Sequence, residues 1–548
     1  MRELSADELR LLPLGGLGQV GMNCLALEQR GGTLLIDCGT TFPEDDYGID
    51  VIHPDFSWLS LRGQPLQGVF LTHGHEDHVG ALPYLLRRHR VPVWGPPHAL
   101  GVAMHRLREH GYSEDELDLR PVEVRHTYDV GPFQVEPIRV THSITDATAL
   151  AIRTAAGLVL HSGDFKLDPS PTDGELTDTD RLYELGAEGV RLLLSDSTNI
   201  DTEGRTTSER VVAERLGKLI RAATERVVVG LFASNIQRLT ALGAIAQETG
   251  RRICLLGRSL NVQVEVATRI GRLSWPSSLL ISPDQAQSFP KGSLLVLAGG
   301  TQGEAGSSLF RLSRREHHQL KLSAGDVVIL SSRVIPGNER GVSRMHDDFL
   351  RQELSLITYR DDRAVHASGH AARGEQAELI ELVSPQAFMP VHGTLHHLKR
   401  HAELARSLGV EERLVIENGQ SAVLTKSSLR SGEPFPSGYI HVAYGGAELT
   451  AEALRRRREL GRGGVVFLHA VETGGREPQL RLTVSACGVP GLDGVHSELA
   501  ALRRELTVEY ARLRRRGGLA EELARAARRV CLRRLNLRPY VEVQLEES

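Results

Sequence analysis

Along the first 200 residues, short apolar runs end in polar clusters and are separated by glycines: Thr33 to Ile36, Gly68 to Leu71, Leu158 to Leu160 and Leu192 to Leu194. This pattern predicts strands of a sandwich whose ends carry chemistry. Val79, Leu82, Leu85 and Leu86 fall at helical spacing just after a His/Asp cluster, which places that cluster on a strand-to-helix loop. From about Thr206 the texture changes. Ser208 to Thr224 and Asn235 to Glu248 have helical periodicity, while Val227 to Phe232, Ile253 to Leu256 and Leu294 to Ala298 read as buried strands. Regular strand–helix alternation predicts a largely parallel sheet with helices on its faces, here as a second, inserted domain. Residues 426–438 have the composition of a turn or linker, and a small α/β tail is expected beyond about residue 440.

Gly16-Leu-Gly-Gln-Val-Gly21 fits GxGxxG, with Asp37 at a plausible distance for a ribose-binding acid. A dinucleotide site needs that loop to open a helix. Here Asn23 to Gln29 alternates apolar and polar, Arg30-Gly31-Gly32 turns, and Thr33 to Asp37 returns as a strand. The segment is therefore predicted to be a glycine-rich β-hairpin, which offers no helix N-terminus to a pyrophosphate.

Length and composition change this picture only in outline. A chain of 548 residues implies three or more domains, and 41% hydrophobic with 24% charged residues is ordinary for globular protein. The formal net charge of −4 does not advertise a nucleic-acid binder, but phosphate binding needs a local basic surface, not a basic average. The first residues carry charges where a secretory signal needs an apolar core, and no apolar stretch approaches the ~20 residues of a membrane span. A cytoplasmic protein without membrane contact is expected. Cys24, Cys38, Cys254, Cys487 and Cys531 are scattered and form no CxxC pair, so each is expected to be a small buried apolar residue.

The strongest chemical signal is His73-Gly-His75-Glu-Asp77-His78, with four good ligands in six residues. Crowding imidazoles and carboxylates without a cation costs desolvation and like-charge repulsion, so the cluster points to a divalent metal. His142 in Thr-His-Ser-Ile-Thr-Asp, Asp164 in His-Ser-Gly-Asp-Phe-Lys and His392 in Pro-Val-His-Gly-Thr are further candidates at later strand ends.

Together and in this order, these motifs resemble the metallo-β-lactamase superfamily. Ser195-Asp196-Ser197-Thr198-Asn199 and His366-Ala-Ser-Gly-His370 resemble the acidic and histidine motifs of its β-CASP nucleases. Pro13 to Gly21, Phe232-Ala-Ser-Asn235, Gly300-Thr-Gln-Gly-Glu304 and Ser331 to Glu339 resemble the ribonuclease J family in particular. The resemblance covers about residues 10–425 and implies an α/β fold: a metallo-β-lactamase αββα sandwich with an inserted β-CASP α/β domain and a small C-terminal α/β domain. The implied boundaries are 1–205 and 361–425 for the sandwich, 206–360 for the insertion, 426–440 for a linker and 441–548 for the tail. Thr145, where relatives commonly have proline, and Ala-Ala-Arg-Gly after His370 depart from the family pattern without replacing a presumed ligand.

The resemblance further implies two divalent ions per subunit, Zn2+ or Mn2+. His73, His75 and His142 would hold one and Asp77, His78 and His392 the other, with Asp164 bridging. Asp77, Asp196 and His370 are the implied catalytic residues: Asp77 to orient or deprotonate the attacking water, Asp196 to orient histidines, and His370 to stabilise the phosphoryl group or protonate the leaving oxygen. Ser234, His366, Ser368, Gly369 and His370 resemble positions that cradle a 5′-monophosphate. The implied activity is 5′→3′ exonucleolytic hydrolysis of single-stranded RNA with endonuclease activity besides, in RNA maturation and decay. The implied state is a homodimer or homotetramer, with other RNA-degradation proteins as further partners. The arginine clusters Arg455–Arg458, Arg512–Arg516 and Arg528–Arg534 suit a solvated helix face as well as an RNA track, and the tail is assigned to assembly first. Rival functions are a small ester or lactam hydrolase, a DNA-directed β-CASP nuclease, and a catalytically silent scaffold subunit. The large insertion argues against the first, and the complete set of seven ligands against the last.

Overall fold

The computed structural model describes residues 3–43, 47–61, 64–335, 337–472, 480–513 and 519–547. Arg514–Arg516 of the second arginine cluster and Pro336 of the Ser331–Glu339 motif lie outside these residues. The chain divides into two compact units, one of Met1–Thr41 with His53–Tyr439 and the other of Phe42–Ile52 with Ile440–Ser548.

Two sheets face each other in the first unit. The eight-stranded sheet runs Leu429–Ser431, Ala422–Leu424, Leu9–Gly15, Cys24–Gln29, Gly32–Ile36, Leu66–Phe70, Val93–Gly95 and Leu119–Pro121 from edge to edge. The seven-stranded sheet runs Glu412–Arg413, Ala387–Val391, Val190–Asp196, Gly157–His161, Thr148–Thr154, Phe133–Arg139 and Tyr128–Val130. Leu11, Leu27, Leu34 and Phe70 from one sheet pack with Phe133, Ile152, Leu192 and Met389 from the other in a single core. The second sheet's outer face packs on Leu182 and Leu185 of helix Thr179–Glu188, Leu379 and Val383 of helix Arg373–Val383, and Leu404 of helix Leu395–Ser407. Helix Pro97–Glu109 lies beside the last two strands of the first sheet. This is the αββα sandwich that the resemblance implies.

The inserted segment leaves after Val190–Asp196 and returns to Ala387–Val391, its parallel neighbour. Because the two strands are parallel, helix Arg373–Val383 carries the chain back along the sheet, and His370 just before it lies 2.8 Å from Asp196, at the strand ends that carry Asp196 and His392. Its six-stranded sheet is parallel throughout: Leu280–Ile281, Arg252–Leu256, Leu294–Ala298, Val227–Gly230, Val327–Leu330 and Ser355–Ile357. Buried on both faces, Val227, Val228 and Val229 read as an unbroken apolar run, as a covered parallel strand must.

Four local expectations need correction. Asp77 and His78 lie inside a short helix, Glu76–Val79, not on a loop. The expected continuous helix after them breaks at Gly80 and Ala81 and restarts as Leu82–Leu86, with Pro83 in the first turn, where its missing N–H costs nothing. The linker-like stretch 426–438 is partly ordered into the sandwich, because Leu429–Ser431 pairs antiparallel with Ala422–Leu424 and Phe435 packs edge-on against Trp58. Of the five cysteines, four are buried, but Cys487 closes a strand at a sheet edge and is exposed.

In the second unit, strand Val465–Glu472 lies between Leu480–Cys487 and Tyr540–Glu547. Helices His496–Leu513 and Leu519–Leu535 cover this sheet through Leu502, Leu506, Leu523 and Val530. Several arginines of the C-terminal clusters are tied within the unit: Arg456 to Glu452, Arg512 to Glu509, and Arg534 to Glu498 and Glu505. No helix among the described residues is long and apolar enough to cross a membrane.

Candidate metal centre

His73 and His75 follow strand Leu66–Phe70, and Asp77 and His78 sit in the helical turn after them. Three backbone bonds hold this turn from the neighbouring segment: Asn23 N to Asp77 O (2.8 Å), Cys38 N to His78 O (2.7 Å) and Thr40 N to Glu76 O (3.2 Å). The approach is close enough that a Cβ on Gly39 would fall 1.6 Å from the Asp77 carbonyl oxygen. His142, Asp164, Asp196 and His392 lie at or just beyond the ends of four strands of the second sheet that point the same way. His392 takes a left-handed backbone (φ 49°), strained for a non-glycine residue.

These positions converge. In one group, His73 Nε2 and His142 Nε2 lie 3.0 and 3.2 Å from His75 Nδ1, and each is 3.7 Å from Asp164 Oδ2. In a second, His78 Nε2 is 3.6 Å from Asp77 Oδ2 and 3.2 Å from the same Asp164 Oδ2, while His392 lies 3.5 Å from Asp77 and 2.8 Å from Asp164 Oδ1. Asp164, Asp196, His370 and His392 form a third group, and in all three the ligand atoms lie within 4.8 Å of one another. Asp164 is common to them.

The electrostatics suit a cation. Burial, with the neighbouring imidazoles adding to it, pushes His73 and His142 well below the usual histidine range, and burial pushes His75 down to about 4. Burial thus favours the neutral form of these rings, and neutral nitrogens facing one another at 3.0–3.2 Å offer lone pairs to an electrophile. The outer nitrogens fix which lone pair points inward. His142 Nδ1 donates to the Gly369 carbonyl at 2.6 Å, and His75 Nε2 meets Ser234 Oγ at 3.0 Å. Burial opposes charge on His78, but Asp164, Asp37 and Asp77 outweigh it and raise that ring; burial likewise opposes charge on Asp164, and His392 and His78 hold it well below the carboxylate range. Burial also opposes charge on His370, but Asp196, 2.8 Å from its Nδ1, leads the carboxylates that raise it to about 9.

The expected phosphate-cradling residues divide. Ser234 and Gly369 touch His75 and His142 directly, and Ser368 Oγ accepts from the His370 amide at 3.1 Å. A Cβ on Gly369 would fall 2.4 Å from Ser143 Oγ, so that backbone approach also needs glycine. His366 is held away from the ligand cluster, 3.3 Å from both Arg238 and the Ser331 carbonyl, and Arg238 is itself paired with buried Glu209.

Two residues that hold the centre escaped sequence reasoning. Asp37 accepts from the Thr72 amide and hydroxyl, both at 2.8 Å, and binds His78 Nδ1 at 2.7 Å. Asn23 Nδ2 lies 3.1 Å from Asp77 and 2.9 Å from His78. An acid closing the apolar run Thr33 to Ile36 was the available signal; the structure gives Asp37 a left-handed backbone, φ 59°. The glycine loop is indeed followed by a hairpin, Cys24–Gln29 with Gly32–Ile36, and packs its backbone on Gly393 beside His392.

Comparison with known proteins gives one consistent family. Residues 17–230 match the metallo-beta-lactamase superfamily, 224–349 the family described as ribonuclease J, beta-CASP domain, and 363–415 the Zn-dependent metallo-hydrolase RNA specificity domain. The chain is 40% identical over 444 residues to ribonuclease J of Mycobacterium tuberculosis, covering 80% of this chain and 79% of that protein. It is 36% identical over 474 residues to ribonuclease J of Synechocystis (86% and 74%), and 35% over 470 to that of Helicobacter pylori (84% and 67%). A crystal structure of a protein of unknown function from Enterococcus faecalis V583 shares the fold at a TM-score of 0.54 and 16% identity, over 76% of this chain and all of that one.

Proposed function

Since the chain belongs to the ribonuclease J family, whose fold and seven-ligand cluster mark a metal-dependent ribonuclease, we propose that it degrades single-stranded RNA from 5′-monophosphate ends and also cuts internally. The observation that carries its hydrolytic chemistry is Asp164. One carboxylate oxygen lies 3.2 Å from His78 and 3.7 Å from His73 and His142, so a single side chain joins two ligand sets. His73, His75 and His142 would hold one divalent ion and Asp77, His78 and His392 the other, each sharing Asp164; Zn2+ and Mn2+ both suit this donor set. Bound ions supply Lewis acidity, making water nucleophilic at neutral pH and offsetting charge on the phosphoryl oxygens.

The remaining work falls to the chain's own groups. Asp77, one-third exposed beside the ligand cluster, orients the attacking water and accepts its proton. Asp196 fixes His370 through Nδ1, which leaves Nε2 to donate to the phosphoryl group or the leaving ribose oxygen. Ser234, His366, Ser368 and Gly369 are assigned to a terminal phosphate, through hydroxyl, imidazole and backbone donors. The domain boundaries given above are retained, except that the linker contributes an edge strand and residues 42–52 go with the C-terminal unit. That unit is assigned to homodimer or homotetramer assembly, because many of its arginines are committed to its own glutamates. Cytoplasmic RNA maturation and decay, with other degradation proteins as partners, completes the proposal.

The test is a time course on one end-labelled RNA carrying either a 5′-monophosphate or a 5′-triphosphate, beside a matched DNA. Metal-stripped protein would be used with Mn2+ or Zn2+ restored, and His75→Ala as control. Early labelled mononucleotide from the monophosphate RNA alone supports the exonuclease and its phosphate pocket. Internal fragments from both RNAs alike remove the pocket assignment. Cleavage of DNA only, or of nothing, overturns the ribonuclease proposal.

A further inference from the structure

The loops carrying Ser234 and Ser331 leave neighbouring strands where the parallel sheet reverses. After Val227–Gly230 the chain crosses to Arg252–Leu256 on one side, and after Val327–Leu330 it continues to Ser355–Ile357 on the other. Diverging connections leave a crevice beyond the carboxyl ends of the strands, the usual ligand position in open α/β sheets. His366 is buried at this end of the sheet, with Nδ1 3.3 Å from the Ser331 carbonyl.

One layer further out, Tyr359 stands edge-on to His366, with ring centroids 5.9 Å apart at 87°. Two guanidiniums lie over the Tyr359 ring, Arg363 at 4.6 Å and Arg333 at 5.6 Å from its centroid. Arg333 follows strand Val327–Leu330, and Tyr359 and Arg363 follow Ser355–Ile357, so all three arise from the carboxyl ends of adjacent strands. Exposure rises outward: His366 is buried, Tyr359 half-buried, and both arginines exposed. Among the described residues, neither guanidinium has a carboxylate partner, whereas Arg215 nearby is tied to Asp362.

An arginine with no acid to neutralise it is free to take an anion from outside, and its planar fork matches a phosphate. Stacking on the tyrosine face limits the guanidinium's freedom before the anion arrives. We propose that Arg333 and Arg363, spread on Tyr359, form a clamp for backbone phosphates of the RNA strand at the crevice beside His366. This rests on the ribonuclease reading and supplies the local basic surface that a net charge of −4 conceals.

The test is fluorescence anisotropy of the metal-loaded protein with a phosphorothioate-protected single-stranded RNA over a salt series. Losing two phosphate contacts from a single strand lowers the slope of log K against log salt by about 1.4, which is roughly tenfold in affinity at physiological salt. Arg333→Gln/Arg363→Gln is expected to show both effects. Tyr359→Leu is expected to weaken binding in the same direction, and Tyr359→Phe, which keeps the ring, to restore it. Unchanged affinity and slope in a double variant with native circular dichroism would overturn the clamp and leave the ribonuclease reading standing, because the wild type still binds RNA. A wild type that binds no RNA would overturn both.

Discussion

Ser234 Oγ lies 3.0 Å from His75 Nε2, so a loop of the inserted parallel sheet holds the outer nitrogen of an imidazole whose inner nitrogen faces the ligand cluster. The insertion thereby reaches the candidate metal centre itself. An outer partner of this kind fixes the ring's tautomer and orientation, and its loss commonly costs 10- to 100-fold in metal affinity or activity.

Ser234→Ala is therefore expected to weaken metal binding about 10-fold or more, read by competition with a chromophoric chelator, and Ser234→Thr to restore most of it. Had Ser234 served a terminal phosphate alone, the alanine variant would keep its metal affinity and lose only the preference for monophosphate over triphosphate ends. The two readouts separate the two roles.

Asp37 makes a parallel case on the other ligand set. Its carboxylate holds His78 Nδ1 and both polar groups of Thr72, all buried. Asp37→Asn keeps the shape and removes the charge, and it should lower metal-restored cleavage by roughly 10- to 100-fold with little change in the thermal midpoint. A large fall in melting temperature with full activity per folded molecule would show that Asp37 only supports the fold.

How much of this was legible in the sequence follows from how local each signal is. His73, His75, Asp77 and His78 announce themselves because four ligands in six residues have few uses besides a cation. The apolar runs around Val227 and Leu294 gave the parallel sheet, since strands covered on both faces cannot alternate. Asp37 and Asn23 were hidden because their partners lie 35 to 55 positions or more away and meet them only when the sheets pack. Arg333, Tyr359 and Arg363 were hidden likewise, because two adjacent strand ends must be placed before the cluster exists. Leu429–Ser431 read as linker because its strand is three residues long and only the neighbouring Ala422–Leu424 makes it one.

Gly39→Ala tests the backbone contact that holds the ligand turn. The new methyl would meet the Asp77 carbonyl oxygen at 1.6 Å, and backbone on both sides leaves nothing flexible to yield. A loss at or beyond the ~1–3 kcal/mol of ordinary overpacking is expected, with metal affinity falling alongside stability. Gly299→Ala, at a glycine with open space around it and, like Gly39, no left-handed φ, controls for the exchange of glycine for alanine without a clash. Equal effects at the two sites would show that the close approach to Asp77 is not what the substitution disturbs.

His401 gives a pH-dependent prediction whose sign can be worked through. The ring is fully buried, 4.8 Å from Phe388 and 3.0 Å from Ser197 Oγ, and its other nitrogen finds no partner among the described residues. Burial pushes it down to about 3, with Asp196 acting the other way and Arg373 adding to the fall. The folded protein thus refuses a proton that the unfolded chain accepts near 6.5. Above that pH the residue contributes no pH dependence. As pH falls below it, protonation stabilises only the unfolded chain, so stability is lost progressively down to about 3. At pH 5.5 this amounts to about 1 kcal/mol. Other buried histidines add slopes of their own, so the quantity to measure is the difference between wild type and His401→Gln in urea unfolding at pH 7.5 and 5.5. The wild type should lose about 1 kcal/mol more than the variant between these two conditions. Equal losses would mean that His401 takes up its proton in the folded state, and that the pocket between Phe388 and Ser197 opens to water at pH 5.5.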